Sequence, residues 1–315
     1  MIVGVPDHQT LEETAVGWMN LAWGIAIDEA RKFQDTEFVY DDIAKEHGEE
    51  VAQRAIAKHW QAVQLVLNNA VSLLQQSLEI NLKAKIAKVS PYLLIAGEPS
   101  SWPKVDQQGN VNFSNFRTLD AVQLCRAVNV LSDVPLPDKF VQFYDRLRQT
   151  RNKIAHLNAS AISVEVKTII AEILTAQKLL YPDIPWNKFR YDYLIATEEY
   201  HDKDAIFTGD DFTTDVMISE VTAALHLLEP KQLREFFGYR ESKPVFRCPC
   251  CLARRSQSDD ECEFVQMTST KQMVCFVCLS SYAVEEYRER MIEHFGYLGE
   301  EEQREIAAEL REELP

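Results

Sequence analysis

Glycine is scarce, ten in 315 residues, and before residue 240 no segment alternates apolar and polar residues for long. Half-buried strands need that period-two pattern, so the first three quarters of the chain are expected to be helical. Long apolar runs are missing too. The longest uncharged stretch near the start, Thr14 to Ile27, has 14 residues, too few to span a bilayer. Met1 to Glu13 contains no Lys or Arg, whereas a secretory leader opens on basic residues. These absences lead to the expectation of a cytoplasmic chain with no membrane partner. Phosphate-loop, G-x-S-x-G and H-E-x-x-H patterns are also absent, which disfavours P-loop ATPase, serine-hydrolase and zincin chemistry.

Basic charge is in short supply. Against 49 acidic residues stand 33 basic ones, a formal net charge of −16, which excludes a broadly basic coat for nucleic acid or anionic lipid. The imbalance is uneven. Residues 285–315 hold eleven Glu and four Arg, net −7, while Lys139 to Lys153 holds five basic residues and one acid, net +4. An acidic chain with one basic helix has room for a confined anion site. The acidic tail reads as a solvated helix or, alternatively, as a docking surface for a partner.

Cysteine is nearly absent outside one segment, with six of the seven between Cys248 and Cys278. Such clustering points to a metal rather than a disulfide framework. Cys248-Pro-Cys-Cys251 and Cys275-Phe-Val-Cys278 form two C-x2-C pairs separated by 23 residues. Two such turns can complete a tetrahedral four-thiolate shell around Zn²⁺, and a closed shell is structural. Two alternatives stay open: Cys250 or Cys262 could replace a ligand in another register, and one pair could be a redox dithiol. Arg247, Arg254, Arg255 and Lys271 lie close to Asp259, Asp260, Glu261 and Glu263, so charge gives no support to nucleic-acid contact by the ribbon.

Helical stretches are expected at Leu11–Phe33, Glu49–Val89, Arg117–Leu131, Asp138–Leu157, Ser163–Leu180, Trp186–His201 and Phe212–Leu228, with a short one near Gln232 and a linker or hairpin between Gly97 and Asn110. On the segment from Asp138, Phe140, Phe143, Leu147 and Ile154 share one face and should pack inward. Measured from Leu147, Arg151 lies about 40° away, Arg148 about 100°, Asn152 about 140° and His156 about 180°.

Arg151-Asn152-Lys153-Ile154-Ala155-His156 resembles the motif of the HEPN superfamily: Arg, four to six residues, then His, often with a polar residue after the Arg. Arg54 to His59 and Arg288 to His294 have similar spacing but lack the asparagine, the preceding arginines and the place after two earlier helices. The resemblance covers about residues 50–181, including Gln76 to Ala87. It implies a helical bundle and a metal-independent ribonuclease acting as a homodimer, of the kind found among toxins and phage-defence effectors. It also implies an RNA substrate, an antitoxin or other defence partner, catalytic roles for Arg151, Asn152 and His156, and substrate contacts from Arg148 and Lys153. Some relatives carry an acidic residue where Glu79 stands, although Glu79 and Lys83 also read as an ordinary i,i+4 pair. The expected organisation is mainly α: a HEPN-like bundle over 1–240 with its core at 50–181, a zinc ribbon over 241–281 and an acidic helix over 282–315. A non-catalytic nucleotide- or partner-binding bundle is the competing reading.

Overall fold

The computed structural model describes residues 1–156, 163–197, 209–254 and 262–296, with residues 304, 308 and 314. The chain is mainly helical and divides into two compact units, Met1–Leu179 and Leu180–Pro315. This division falls well before the change of sequence texture near residue 241. Among the described residues no helix is long and apolar enough to cross a membrane.

The first unit is built on two long helices, α1 (His8–His47) and α3 (Gln64–Val89), joined through α2 (Glu49–Ala62). Asp7 caps α1 by accepting from the backbone N–H groups of Gln9 and Thr10 at 2.9 and 3.1 Å, which satisfies donors the helix start leaves free. Bonds of this kind, chiefly from Thr10, hold the Asp7 carboxyl below its usual pKa. Ala15, Met19, Ala22, Ala26 and Ala30 recur every three or four residues and are fully buried. The small size of the four alanines lets α3 approach closely, and Ser77 Oγ donates to Ala15 O at 2.6 Å. Leu67, Leu74, Leu78 and Leu82 fill the α3 side of this seam.

Sequence periodicity placed one helix over Glu49–Val89, but the structure breaks it at Val63 (φ −93°, ψ 1°). The side chain of Gln64, the first residue after the interruption, reaches a distant segment. It accepts from Val164 N at 2.8 Å and donates to Val164 O at 3.2 Å, pinning a segment 100 residues away. Gly48, at φ 91° and ψ 155°, separates α1 from α2 in a region that side-chain-bearing residues avoid. Three more helices complete the unit: α4 (Ala121–Leu131), α5 (Asp138–His156) and α6 (Val166–Leu180). Helix α3 packs on α4 and α5. The segment expected to be a linker or hairpin closes through an Ile95–Thr118 bridge, and its strand β2 (Val111–Asn112) pairs in parallel with β1 (Ile2–Val3).

The second unit opens with α7 (Trp186–Ala196), α8 (Gly209–Leu227) and the short α9 (Pro230–Phe236). Arg190 on α7 and Glu220 on α8 form a buried pair, with Nε and Nη2 donating to the two carboxylate oxygens at 3.0 and 2.7 Å. A four-stranded antiparallel sheet follows in the order β3 (Phe246–Arg247), β4 (Glu263–Ser269), β5 (Gln272–Cys275), β6 (Ser281–Ala283). A short helix, α10 (Pro249–Arg254), lies between β3 and β4, and α11 (Val284–His294) follows β6. Asn187 on α7 donates to Phe276 O, so the helices and the sheet share one unit. Leu314 is 3% exposed and its carbonyl accepts from Arg288 Nη2 at 3.1 Å. The expected helical course of the acidic tail between residues 297 and 313 lies largely outside the described residues, as do His201 and the Leu157–Asn158 step after α5.

Candidate functional site

Four sulfurs converge in the second unit. Cys248 closes β3, and Pro249 at the first position of α10 is a residue type that helix starts accept readily. Cys251 then follows in the first turn. Cys275 ends β5, and the chain reverses through Phe276–Leu279 to present Cys278. Leu279 is the one non-glycine residue with positive φ (61°) among the described residues, a local strain that this reversal imposes.

The sulfurs of Cys248, Cys251, Cys275 and Cys278 all lie within 4.8 Å of one another. Cys248 Sγ to Cys278 Sγ is 3.6 Å and Cys251 Sγ to Cys275 Sγ is 3.8 Å. Four sulfurs about 2.3 Å from a central zinc ion would be about 3.8 Å apart, so the quartet has the dimensions of a tetrahedral shell. It is too wide for a disulfide, and all seven cysteines are free. Backbone N–H groups point at the sulfurs: Cys251 N at Cys248, and Val277 N and Cys278 N at Cys275, each at 3.4 Å. Such donors favour thiolate. The quartet can therefore hold a metal ion, and its donor set suits structural zinc.

Without a cation the four thiols cannot all ionise. Cys278 is held well below the usual thiol pKa, chiefly by hydrogen bonding with Cys248, and Cys248 is lowered chiefly through Cys251. Cys251 is pushed up by Cys248, and Cys275 by burial. Protons shared in this way are what a dication would displace.

Neither Cys250 nor Cys262 belongs to the quartet. Cys262 instead accepts Cys248 N at its carbonyl (2.9 Å), fixing the first ligand through the backbone. Three neighbours were not legible in the spacing. Tyr282 Oη lies 3.5 Å from Cys248 Sγ, and Ser280 Oγ lies 3.2 Å from Cys278 Sγ. The Cys250 thiol is pushed above its usual pKa, chiefly by Cys278 and then by burial.

The other candidate residues lie on α5. Phe140, Phe143, Tyr144 and Leu147 are buried, whereas Ile154, expected on the same inward face, is only half-buried near the end of the helix. Nε and Nη2 of Arg148 donate to Asp145 Oδ1 at 3.2 and 2.6 Å. That interaction is the main cause holding the Asp145 carboxyl below its usual pKa. Arg151 is half-buried and its Nη1 donates to Asn152 Oδ1 at 3.2 Å. Lys153 and His156 are exposed, and His156 is the last residue of the helix.

Glu79, on α3, accepts from Lys83 Nζ at 2.8 Å and from Gln75 Nε2 at 3.3 Å. On α5 the buried Tyr144 donates to Ala121 O at 3.0 Å. Burial raises the Tyr144 pKa; the charge of Glu79 raises it further, while Arg148 and Arg151 lower it. Helix α3, which carries Glu79, packs on α5, which carries Arg148 and Arg151. His156 stands apart from the two arginines, because five residues of helix put it about 7.5 Å along the axis from Arg151 and about 140° around it. Tyr144, Asp145 and Gln75 were not singled out from the sequence. Their only local sign is spacing of three or four residues from Arg148 and Glu79. Comparison of the chain with family models, curated proteins and solved structures finds no match.

Proposed function

We propose that the chain is a metal-independent RNA endonuclease with a HEPN-like helical bundle and a structural zinc ribbon. The observation that carries the reading is the end of α5. There a half-buried Arg151 bonded to Asn152 stands one to two turns before an exposed His156, on a helix whose stretch Lys139–Lys153 carries net charge +4 in an acidic chain. Cleavage of RNA without a metal needs a base for the ribose 2′-OH and a cation on the phosphate. His156 takes the 2′-OH proton, the 2′-oxygen attacks the adjacent phosphorus, and the P–O5′ bond breaks. The departing 5′-oxygen takes up a proton, leaving a 2′,3′-cyclic phosphate. Arg151 holds two phosphate oxygens with its planar fork, Asn152 orients it, and Arg148 and Lys153 extend the phosphate contact. Glu79 holds the α3 side through Lys83.

The angular gap between Arg151 and His156 means that one straight helix does not aim both at the same phosphate. A homodimer that apposes two α5 helices across a two-fold axis supplies Arg151 from one copy and His156 from the other. An acidic exterior around that groove suits a basic neutralising antitoxin or a defence-system partner, and the working compartment is the cytoplasm. In the ribbon, Cys248, Cys251, Cys275 and Cys278 bind Zn²⁺, which supplies a fixed tetrahedral centre, and no catalytic step runs through it. The competing reading is a non-catalytic nucleotide- or partner-binding bundle. It is favoured by the pairing of Arg148 with Asp145, which leaves that guanidinium neutralised.

Total RNA incubated with the protein in magnesium-free buffer, zinc retained, separates the two. Cleavage by wild type with 2′,3′-cyclic phosphate ends, and loss of at least a hundredfold in Arg151→Ala and His156→Ala, supports the nuclease. Intact RNA, or variants as active as wild type, removes the catalytic assignment.

A further inference from the structure

The turn that follows α9 is bonded to β4 along its whole backbone. Gly238, at φ 74°, takes the chain out of the helix, and Lys243 N donates to Arg240 O at 3.0 Å, closing a four-residue turn. Gln266, only 5% exposed, clamps that turn from β4. Its Oε1 accepts from Arg240 N at 2.9 Å, and its Nε2 donates to Arg240 O and Lys243 O at 2.8 and 3.2 Å. Lys243 Nζ adds a donation to Met267 O. The turn is therefore fixed without any use of the Arg240 guanidinium. Arg240 is exposed, and among the described residues no hydrogen bond or ion pair engages its side chain, not even with the neighbouring Glu241. Lys243 commits one of the three donors that an ammonium carries.

Both cations line a cavity of about 240 Å³. Phe237, Met267 and Phe276 supply apolar walls, Thr268 a hydroxyl, and none of the described lining residues is acidic. In a chain of net charge −16, two cations without an acid favour an anion. The cancelling charges around the cysteines gave no sign of such a site, because Arg240 and Lys243 precede that segment in the sequence.

We propose that this cavity binds the phosphate monoester end of a single nucleotide, with Arg240 and Lys243 on the phosphate and the base against the apolar wall. The planar guanidinium suits two phosphate oxygens at once, and the spare donors of Lys243 serve the third. A monoester carries about −1.5 to −2 charges near pH 7, which two cations match better than the single charge of a carboxylate or an internal phosphodiester. Aromatic and thioether walls favour a flat ring. The volume falls below the roughly 300–1,000 Å³ of a drug-sized site, so it takes one nucleotide and no more. Gln266 is spent on the turn, which leaves little means of telling one base from another. A free mononucleotide and the 5′-phosphate end of an RNA strand present the same chemistry. The inference does not depend on the catalytic reading of α5.

The test titrates the full, zinc-loaded chain with AMP by calorimetry in magnesium-free, low-salt buffer, and locates the ligand by amide exchange read by mass spectrometry. AMP is expected to bind and to protect peptides covering residues 237–243 and 264–276. Arg240→Ala should weaken binding at least about tenfold, the scale of lost charge-assisted hydrogen bonds. Arg234→Ala, which removes an exposed arginine outside the cavity, should stay within about twofold of wild type. Adenosine and inorganic phosphate should each bind at least about tenfold more weakly than AMP. Unchanged exchange without ligand shows that Arg240→Ala keeps the fold. Tetranucleotides carrying 2′-O-methyl groups, which cannot be cleaved through the 2′-OH, distinguish the sources. Binding of the 5′-phosphorylated strand alone, at the affinity of AMP, assigns the site to RNA ends; binding of AMP with neither strand assigns it to a free nucleotide. No binding of AMP at about 1 mM, equal affinity in Arg240→Ala, or protection confined to other segments overturns the proposal. So does phosphate binding as tightly as AMP, or a 5′-hydroxyl strand binding as tightly as the phosphorylated one. None of these outcomes bears on cleavage by Arg151 and His156, which the RNA products report separately.

Discussion

The buried pair between Arg190 and Glu220 offers the sharpest test of how the second unit is held together. The two side chains are 8% and 5% exposed, and the guanidinium meets both carboxylate oxygens. Two opposite charges about 4 Å apart attract by about 4 kcal/mol at an effective dielectric of about 20. Removing one partner of such a pair costs about 3–5 kcal/mol, because the other charge stays buried without its counter-charge. Glu220→Leu should therefore weaken the α7–α8 packing by that amount, while the double variant Arg190→Met/Glu220→Leu, which buries no charge, should fall within about 1–2 kcal/mol of wild type. A loss of about 3–5 kcal/mol multiplies the opening equilibrium by roughly 150 to 5,000, since every 1.4 kcal/mol is tenfold.

Amide hydrogen exchange read by mass spectrometry separates this effect from the first unit, where four of the five tryptophans lie and would dominate fluorescence. Peptides covering Trp186–Ala196 and residues 212–227 should exchange at least a hundredfold faster in Glu220→Leu. Peptides from α1 and α3 should not change. If the single variant exchanges within threefold of wild type, or if the double variant is as labile as the single one, the pair is not what fixes α7 to α8.

Three further outcomes follow from local geometry. Glu172 is largely buried and its pKa is raised by that burial, with Arg146 at 3.6 Å only partly offsetting it. A raised carboxyl contributes stability below its unfolded value of 4.5 that is lost as pH rises through its folded value, so Glu172→Gln should melt higher than wild type at pH 7 and level with it at pH 4; a lower melting temperature at both refutes this. Gly48→Ala should cost about 1–3 kcal/mol by urea titration, from backbone strain alone, because nothing lies within 4 Å of the added Cβ; an unchanged midpoint would show that α1 and α2 can join in another conformation. Strong chelation under reducing conditions should deprotect the amides of β4 and β5 by many orders of magnitude, since structural zinc contributes about 10–16 kcal/mol in small modules. Unchanged protection after full zinc removal means the sheet folds without the ion.

Much of the fold was legible because helices and C-x2-C turns are local. The period that buries Phe140, Phe143 and Leu147 is written in steps of three and four residues, whereas the caps at Asp7 and Asp120 appear only with the structure. Cysteine spacing identified the quartet's four members for the same reason, since each pair needs only one tight turn. Arg151, Asn152 and His156 are likewise visible as a string, and their angular separation follows from helical geometry alone.

What the sequence could not determine are meetings between distant residues, because nothing within a short window records which buried surfaces will meet. Gln64 reaches Val164, Asn187 reaches Phe276, and β1 finds its partner more than a hundred residues away. The roles of Cys250 and Cys262 were ambiguous by spacing, and the packed turn resolves the two: one thiol is at the accessible rim and the other is buried behind the first ligand. The packing of α3, which carries Glu79, on α5, which carries the arginines, is likewise a meeting of distant segments. The sequence by itself determined the helical character, the four-thiol centre and the basic Arg–His helix. The tertiary structure alone decided which of these residues share a surface, since burial and hydrogen bonding across the chain are settled only when the elements pack.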